Sequence, residues 1–177
     1  MKDALQSQTI KEQAVSLYTD HDLRAAAALL GRAFGPVAET FGLTPENCKG
    51  NGAFTDFGRL KSEVAGGLDL WGIWQGETLV ACGGFVLKKQ WVVIQRLAVD
   101  PDFQGKGLGR VLMEALEDLS RSHVAAGWAQ GWKVGLIAEN HPLIRFYQGC
   151  GYRHLSTKTF SHLPHGVVFM GKRPRGD

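Results

Sequence analysis

A glycine-rich segment over residues 104–110 carries the residue types and the spacing that suit phosphate binding. It follows an apolar, β-branched run that ends at Val99, and a helical pattern begins within it. Its sequence is Gln104-Gly105-Lys106-Gly107-Leu108-Gly109-Arg110. A strand, a glycine loop and a helix N-terminus in this order present backbone N–H donors to phosphate oxygens. The sequence therefore predicts a phosphate-binding loop at this point.

The spacing within this loop excludes two common phosphate motifs. A Walker loop requires a Lys-Ser/Thr pair after its last glycine, whereas Arg110 and Val111 follow Gly109. A dinucleotide fingerprint, G-x-G-x-x-G, counted from Gly105 requires a glycine where Arg110 stands. Two interpretations stay open for the glycines: a pyrophosphate loop, or a tight strand-to-helix turn that binds nothing. Lys106 and Arg110 likewise fit either a charged phosphate contact or a solvated surface.

A second motif lies downstream, with the pattern Asn-x5-Phe-Tyr-x3-Gly-Tyr. Its residues are Asn140, Phe146, Tyr147, Gly151 and Tyr152. The glycine loop has the spacing Gln-x-x-Gly-x-Gly, and the second motif follows it in the chain. Together they resemble the signatures of the GNAT superfamily, the acyl-CoA-dependent N-acyltransferases. The resemblance extends over residues 15–172, and in the first third it depends on the order of the predicted elements.

The resemblance implies acetyl-CoA as cosubstrate, no metal, and an α/β fold in which helices flank a central mixed β-sheet. The pyrophosphate would lie on the backbone N–H groups of the glycine loop, and the pantetheine arm would pair with the end of the preceding strand. The resemblance assigns acetyl-CoA binding to Leu97, Ala98, Val99, Gln104, Gly105, Lys106, Gly107, Leu108, Gly109, Arg110, Asn140 and Phe146. It places Tyr147 at the thioester sulfur as a proton donor, whereas a buried core tyrosine is the alternative interpretation.

At Gln95 the chain departs from the family pattern. Many GNAT enzymes have a glutamate two residues before the Leu-Ala-Val segment, but the Gln95 amide cannot accept a proton at neutral pH. We expect Gln95 to orient the substrate or a water molecule. Candidate substitute bases are Glu39, Glu63, His162 and His165, each of which also fits a surface or structural role. Deprotonating a lysine-like amine at pH 7 costs about 4 to 5 kcal/mol, against about 1 kcal/mol for an α-amine, so an acceptor of low pKa or a water relay is favoured.

Four further segments resemble a GNAT branch to which no substrate is assigned. They span residues 44–48, 96–99, 135–140 and 157–164. This finer likeness supports the fold and the cosubstrate and leaves the acceptor open.

Length and composition are those of a globular domain. The chain has 177 residues, of which 44% are hydrophobic and 21% are charged, and its formal net charge is +3. These values exclude a disordered chain, and no apolar run reaches membrane-spanning length. We expect one GNAT domain over residues 13–172, between a flexible segment, 1–12, and a tail, 173–177. Three separated cysteines without a metal-ligand pattern favour a reduced, cytoplasmic location.

Hydrophobic periodicity predicts the elements that position these residues. Strands are expected over residues 13–18, 68–74, 78–87, 91–99, 133–138, 151–160 and 166–170. Helices are expected over residues 23–34, 56–64, 108–119 and 140–148. The first helix has Asp22 as its predicted N-cap and ends at Gly35-Pro36. Strands two to four are expected to form an antiparallel meander. The helix over residues 108–119 connects the strands 91–99 and 133–138, which predicts that these two strands are a parallel or splayed pair near the sheet centre.

The leading function is therefore an acetyl-CoA-dependent N-acetyltransferase that acts on a primary amine of a small molecule or peptide. The alternative is a CoA-binding sensor or interaction module without turnover, which Gln95 keeps open and Tyr147 disfavours. Nucleic-acid binding through Trp71, Trp74 or Trp91 is disfavoured because these tryptophans lie in strand-like runs. No membrane partner is expected, and a homodimer stays open because dimers are common in the family.

Overall fold

The computed structural model of the protein describes residues 13–174. The expected flexible segment, residues 1–12, and the end of the expected tail, residues 175–177, lie outside the described residues. The helices are α1 (Asp20–Thr40), α2 (Phe57–Ala65), α3 (Leu108–Leu119), α4 (Arg121–Ala125) and α5 (His141–Gly149). The strands are β1 (Ala14–Ser16), β2 (Asp69–Gln75), β3 (Thr78–Lys88), β4 (Trp91–Val99), β5 (Trp132–Ile137), β6 (Arg153–Thr159) and β7 (Gly166–Lys172). Short 3₁₀ helices span Gly52–Phe54 and Pro101–Phe103.

The seven strands form one mixed sheet in the order β1-β2-β3-β4-β5-β7-β6. β2, β3 and β4 form the predicted antiparallel meander, and β1 pairs antiparallel with β2 at the edge. β4 and β5 are parallel because the helix between them returns the chain across the sheet. β7 lies between β5 and β6 and is antiparallel to both. The predicted fold class, a central mixed sheet flanked by helices, is confirmed.

Helices cover both faces of the sheet. On one face, α3 contributes the apolar side chains of Leu108, Leu112, Met113 and Leu116. On the other face, α1 and α2 contribute Leu23, Leu29, Leu30 and Leu60. β3 is buried from Leu79 to Phe85 because it lies under both layers. Its neighbour β4 is thereby held in the middle of the molecule, and the short 3₁₀ helix Pro101–Phe103 joins β4 to the glycine loop.

The first helix begins earlier and ends later than the sequence predicts. Thr19 is the N-cap, and the prediction of Asp22 is wrong: the Thr19 hydroxyl accepts the Asp22 N–H at 3.1 Å, and the Asp22 carboxylate accepts the Thr19 N–H at 3.0 Å. This reciprocal capping box satisfies N–H groups at the start of the helix. The predicted end is also wrong, because the helix continues through Pro36 to Thr40. A proline removes only one helical hydrogen bond, and Gly35 before it has no Cβ to clash with the ring.

The other predicted strands and helices are present, with ends that differ from the prediction by at most two residues. The sequence pattern gives no sign of α4, which is too short to show an apolar period. Within residues 13–174, no helix is long and apolar enough to cross a membrane.

Candidate active site

The sheet opens between its two parallel strands. β4 pairs with β5 at only two positions, Val92 with Trp132 and Val93 with Lys133, whereas β5 pairs with β7 along its whole length. From Ile94 onward, β4 has a backbone edge that no strand within the described residues covers. This wedge confirms the predicted splayed pair. It lies toward the carboxyl ends of the two strands, where open α/β sheets bind their ligands.

A β-bulge in β4 accompanies this opening. Arg96 and Leu97 together stand opposite Gly83 of β3, so β4 has one extra residue there and bends. Arg96 has a φ of 60°, a left-handed conformation that is uncommon outside glycine. A Cβ on Gly83 would lie 3.0 Å from the Leu97 side chain, so the crowded side of the bulge favours glycine. The sequence pattern, which predicts a regular strand over these residues, does not indicate the bulge.

The Arg96 side chain joins the bulge to α2 and to the loop that precedes it. Its Nε and Nη2 atoms donate to the two Glu63 carboxylate oxygens at 2.9 and 2.5 Å, and its Nη1 donates to the Gly50 carbonyl at 3.2 Å. Arg59 donates to the same carboxylate at 3.1 Å and to the Lys49 carbonyl. Burial alone would raise the pKa of Glu63, but hydrogen bonds and charge from Arg96 and Arg59 outweigh it and lower that pKa. Glu63 therefore acts as an ion-pair partner in this structure.

The wedge widens into a cleft of about 780 Å³. Its walls come from β4, β5, β7, α1, α5 and two loops, residues 46–52 and 162–165. The predicted site residues and candidate bases that line it are Gln95, Leu97, Asn140, Tyr147, His162 and His165. Much of the remaining wall is apolar and includes Phe34, Val37, Leu163 and Phe169. Among residues 13–174, no group of three or more His, Cys, Asp or Glu side chains is arranged to hold a metal ion.

The glycine loop leaves the N-terminus of α3 without a side-chain cap. Gly105 and Gly107 have φ of 76° and 82°, where a residue with a Cβ is strained. Because Gly107 is the N-cap, the N–H groups of Leu108, Gly109 and Arg110 have no acceptor within the helix. Such N–H groups, with about half a positive charge from the helix dipole, suit an anion such as a pyrophosphate. The loop therefore fits the ligand group that the sequence predicts for it.

Three polar side chains of this loop contact neighbouring groups. Gln104 donates from Nε2 to the Val99 carbonyl at 3.1 Å. Arg110 donates from Nη1 to a carbonyl at the end of α5 at 2.8 Å, which ties the start of α3 to α5. Lys106 lies over Phe103, with Nζ 4.9 Å from the ring centroid. All three polar residues are exposed and stand beside the uncapped helix N-terminus.

Tyr147 combines burial with access to the cleft. The residue is 5% exposed and packs edge-on against Phe146 and Tyr152, with ring centroids 5.1 and 5.6 Å away. Burial, and to a smaller extent Cys150, raises the pKa of the Tyr147 hydroxyl. No group within the described residues forms a hydrogen bond with this hydroxyl. A hydroxyl that keeps its proton and belongs to a cleft-lining residue suits a proton donor.

Other predicted binding residues also have structural contacts. Asn140 caps α5, since its Oδ1 accepts the Leu143 N–H at 3.2 Å, and the residue still lines the cleft. Phe146 packs on the first turn of α3, where a Cβ on Gly109 would lie 3.4 Å from the ring. The Ala98 side chain belongs to the core under α1 and does not line the cleft.

Asp100 fixes the short segment that joins β4 to the glycine loop. Its carboxylate accepts Arg32 Nε and Nη2 at 3.1 and 2.7 Å, and it accepts the Asp102 N–H at 3.1 Å. Its own N–H donates to the Val80 carbonyl at 2.9 Å. The Arg32 hydrogen bonds outweigh the effect of burial and hold the pKa of the Asp100 carboxyl below its ordinary value of 3.8. An ionised Asp100 therefore couples the end of β4 to α1.

The candidate bases occupy different places. His165 Nδ1 lies 2.9 Å from the Gly166 carbonyl oxygen, and its Nε2 lies 3.9 Å from Sγ of Cys48 on the facing loop. His162 is exposed, with its ring centroid 5.8 Å from that of Phe160. Glu39 is exposed on α1 and does not line the cleft. Sequence reasoning missed Cys48 as a site residue, and its only signal is its place in the segment 44–48 that resembles a GNAT branch.

Comparisons with known proteins agree with this geometry. The model of the Acetyltransferase (GNAT) family matches residues 40–152. The ribosomal-protein-S18-alanine N-acetyltransferase from Escherichia coli has a similar structure, with a TM-score of 0.68 and 20% identity over 90% of this chain and 92% of that chain. The ribosomal-protein-alanine N-acetyltransferase from Brucella melitensis is similar with a TM-score of 0.65 and 16% identity over 90% and 98%. A Bacillus subtilis acetyltransferase in complex with CoA has a TM-score of 0.52 and 19% identity over 63% and 80%.

No curated protein matches this chain in sequence. At these identities the structural likeness shows the fold, whereas the family model covers more than half of the chain. The matched region includes the bulged strand, the glycine loop, the wedge and Tyr147. The chain therefore belongs to the GNAT acetyltransferase family and is an acyl-CoA-dependent transferase.

Proposed function

We propose that the protein transfers an acetyl group from acetyl-CoA to a primary amine of a small molecule or peptide, by direct attack in a ternary complex. The observation that carries this proposal is the wedge between β4 and β5, where an uncovered strand edge and Tyr147 border one cleft. The uncapped N-terminus of α3 supports acetyl-CoA as the cosubstrate because it suits a pyrophosphate.

In this proposal acetyl-CoA binds along β4. Its pyrophosphate accepts hydrogen bonds from the backbone of residues 105–110, and Lys106 and Arg110 add positive charge beside it. The amides of the pantetheine arm pair with the backbone of Leu97 and Val99 on the uncovered edge, which gives this edge the partners that β5 does not supply. Asn140 and Phe146, at the start and middle of α5, contact the same arm.

The proposed chemistry assigns different tasks to Tyr147, Val99 and Gln95. Acyl transfer from a thioester to an amine needs a neutral amine, a stabilised oxyanion and a protonated leaving thiolate. Tyr147 donates its proton to the departing sulfur, a role that its place in the cleft wall supports. The Val99 N–H donates to the thioester carbonyl. Gln95 orients the acceptor or a water molecule, because its amide cannot take a proton.

The acceptor is proposed to enter between the loops of residues 46–52 and 162–165. These loops contribute polar side chains such as Asn47 and His165, whereas the apolar wall beside them includes Phe34, Val37 and Leu163, which favours an amine with an apolar neighbour. An α-amine costs about 1 kcal/mol to deprotonate at pH 7, against about 4 to 5 kcal/mol for a lysine-like amine. Two structurally similar enzymes are named for ribosomal-protein alanine as acceptor. These points favour a peptide α-amine or another amine of low pKa.

The test is release of the CoA thiol from acetyl-CoA with a panel of an alanyl peptide, lysine, spermidine and phenethylamine. We expect Tyr147→Phe to lower kcat about 100-fold or more, because a general acid contributes about 10² to 10⁴ in rate. The Kd of acetyl-CoA should stay within about threefold. Tyr18→Phe is the matched control, since Tyr18 is 73% exposed and does not line the cleft. An unchanged kcat in Tyr147→Phe would contradict the role of Tyr147.

The same assay separates an enzyme from a binding module. Tight acetyl-CoA binding without thiol release for any amine would identify the CoA-binding module that Gln95 keeps open. We further propose one GNAT domain over residues 13–172 and a cytoplasmic location. The homodimer stays a prediction, which sedimentation of the purified protein measures.

A further inference from the structure

The proposed acetyl transfer needs a group that takes a proton from the acceptor amine. We propose that His165 is this group and that its Nε2 atom is the proton acceptor. The inference rests on the proposed function, and it answers the question that Gln95 raises. The geometry of His165 and the engagement of the other candidate groups carry the argument.

A backbone contact fixes the tautomer of His165. Its Nδ1 lies 2.9 Å from the Gly166 carbonyl oxygen. A carbonyl oxygen can only accept a hydrogen bond, so Nδ1 carries the ring proton. In the neutral imidazole, Nε2 then holds a free lone pair. The contact also orients the ring, because it holds one nitrogen against the main chain and directs the other away.

Cys48 marks the direction of that lone pair. Its Sγ lies 3.9 Å from His165 Nε2, and both residues line the cleft that Tyr147 lines. Burial raises the pKa of the Cys48 thiol, so the sulfur keeps its hydrogen and can donate to Nε2. A thiol is a weak donor, and a long S–H contact is readily exchanged for an ammonium donor. Nε2 is therefore accessible to a positively charged amine in the cleft.

Other groups near the cleft are less suited to accept this proton. The Glu63 carboxylate is paired with Arg96 and Arg59, which lower its pKa and make it a weaker base. Burial raises the pKa of the Tyr147 hydroxyl, so this group keeps its proton and is not an ionised base. Glu46 is exposed, and a hydrogen bond from Thr44 lowers the pKa of its carboxyl.

His162 is the nearest alternative in chemistry. It lines the same cleft, but it is exposed, and its ring lies beside that of Phe160. No hydrogen bond within the described residues fixes its tautomer or orientation. A histidine held by the backbone loses less freedom on meeting its substrate than a free one, which favours His165.

The reaction balances with His165 as base. Nε2 takes one proton from the ammonium, and the neutral nitrogen attacks the thioester carbon. The C–N bond forms and the C–S bond breaks. Tyr147 protonates the sulfur and recovers a proton from the new amide nitrogen, while the His165 imidazolium releases its proton to water. The net reaction gives the acetylated amine, CoA with a free thiol and one proton.

The charges around His165 enter the pH dependence. The ionisable groups that line the cleft with it are Glu46, Cys48, Lys49, Arg96, Tyr147 and His162, and Glu139 lies beside Gly166. Histidine side chains titrate within the physiological range, and only the neutral form accepts a proton. Wild-type kcat/KM should therefore fall on the acidic side as the base becomes protonated.

The kinetic test compares pH profiles of kcat/KM for wild type, His165→Gln and His162→Gln, with the best amine of the panel. We expect His165→Gln to lose about 100-fold at pH 7. The deficit should shrink to within about threefold above the pKa of the amine, where the acceptor is neutral without help. His162→Gln is compared for the shape of its profile alone, which should keep the acidic limb of wild type. His154→Gln is the matched control, since His154 is exposed on β6 and outside the cleft.

Several results would overturn the proposal. A deficit in His165→Gln that is constant across pH indicates a structural role, and loss of the acidic limb in His162→Gln assigns the base to His162. Detection of an acetyl group on Cys48 by mass spectrometry would show that the reaction proceeds through a covalent intermediate and not by direct attack.

One readout is independent of turnover. Nitrogen-15 NMR of labelled histidine, assigned with His165→Gln, should show Nδ1 protonated and Nε2 unprotonated at neutral pH. The opposite tautomer overturns the assignment even if the enzyme is active. Absence of turnover with every amine, together with the expected tautomer, overturns the proposed function itself, so the two failures are distinguishable.

Discussion

Gly107 has a conformation that few residues adopt, and it stands where α3 begins. Its φ of 82° positions the first-turn N–H groups of α3, and no side chain caps them. The absence of a side chain at Gly107 matters as much as the side chains that are present, because an anion must come close to the backbone N–H groups that bind it. Tyr147 is the opposite case, a residue that acts through its side chain, and burial raises the pKa of its hydroxyl.

Replacing Gly107 with alanine tests the role of the loop backbone. A Cβ in the left-handed region costs about 1 to 2 kcal/mol, and no atom lies within 4 Å of the Cβ position, so the cost comes from the backbone alone. We expect the Kd of acetyl-CoA, measured by calorimetry, to rise about tenfold. Gly31→Ala in α1 is the matched control and should raise the free energy of unfolding by about 0.5 to 1 kcal/mol. Unchanged acetyl-CoA affinity in Gly107→Ala would refute this role.

At the scale of elements, the loop over residues 46–52 is tied to β4 and α2 through two arginines. Arg96 reaches the Gly50 carbonyl and Arg59 reaches the Lys49 carbonyl, while both hold Glu63. The bulge in β4 therefore does two things. It widens the wedge for one substrate, and through Arg96 it sets the wall that the other substrate is proposed to meet.

Arg96→Met separates these two effects. The substitution leaves Glu63 with Arg59 alone, and we expect the free energy of unfolding to fall by about 2 to 3 kcal/mol, because a largely buried charged hydrogen bond is lost. The KM for the amine should rise about tenfold, while the Kd of acetyl-CoA stays within about threefold. Lys61→Met, which removes an exposed pair with Asp20, should cost under about 1 kcal/mol. Equal losses for both substrates would show that Arg96 supports the whole site.

The elements that the sequence predicts are those with local signals. The β2–β3 hairpin and the apolar face of α3 follow from periodicity and turn residues within a short stretch. The boundaries of α1 do not follow from such local signals. The sequence pattern makes Asp22 the N-cap, and only its hydrogen bonds with Thr19 show that it is the third residue of the helix. The bulge at Arg96 depends on a register with β3, and the meeting of Cys48 with His165 joins residues far apart in sequence. Such contacts have no local pattern from which to predict them.

Across the whole molecule, buried carboxylates join elements that surround the wedge. Asp100 couples β4 to α1 through Arg32, and Glu117 of α3 accepts Lys172 Nζ of β7 at 2.6 Å and the Tyr152 hydroxyl at 3.1 Å. The Arg32 contact favours the ionised form of Asp100 and lowers the pKa of its carboxyl. The fold that positions the site should therefore be sensitive to acid.

The lowered pKa of Asp100 determines whether the free energy of unfolding rises or falls as the pH decreases. Its folded pKa lies below the ordinary value of 3.8, so between the two values the unfolded chain binds more protons than the folded one. The free energy of unfolding, measured with urea, should thus be steady above about pH 5 and fall as the pH drops through 4 and 3. Asp100→Asn should be less stable at pH 7 and show a smaller fall. Asp20→Asn, at a side chain that is 60% exposed, should keep the wild-type slope. Equal slopes in wild type and Asp100→Asn would mean that other carboxylates govern acid unfolding.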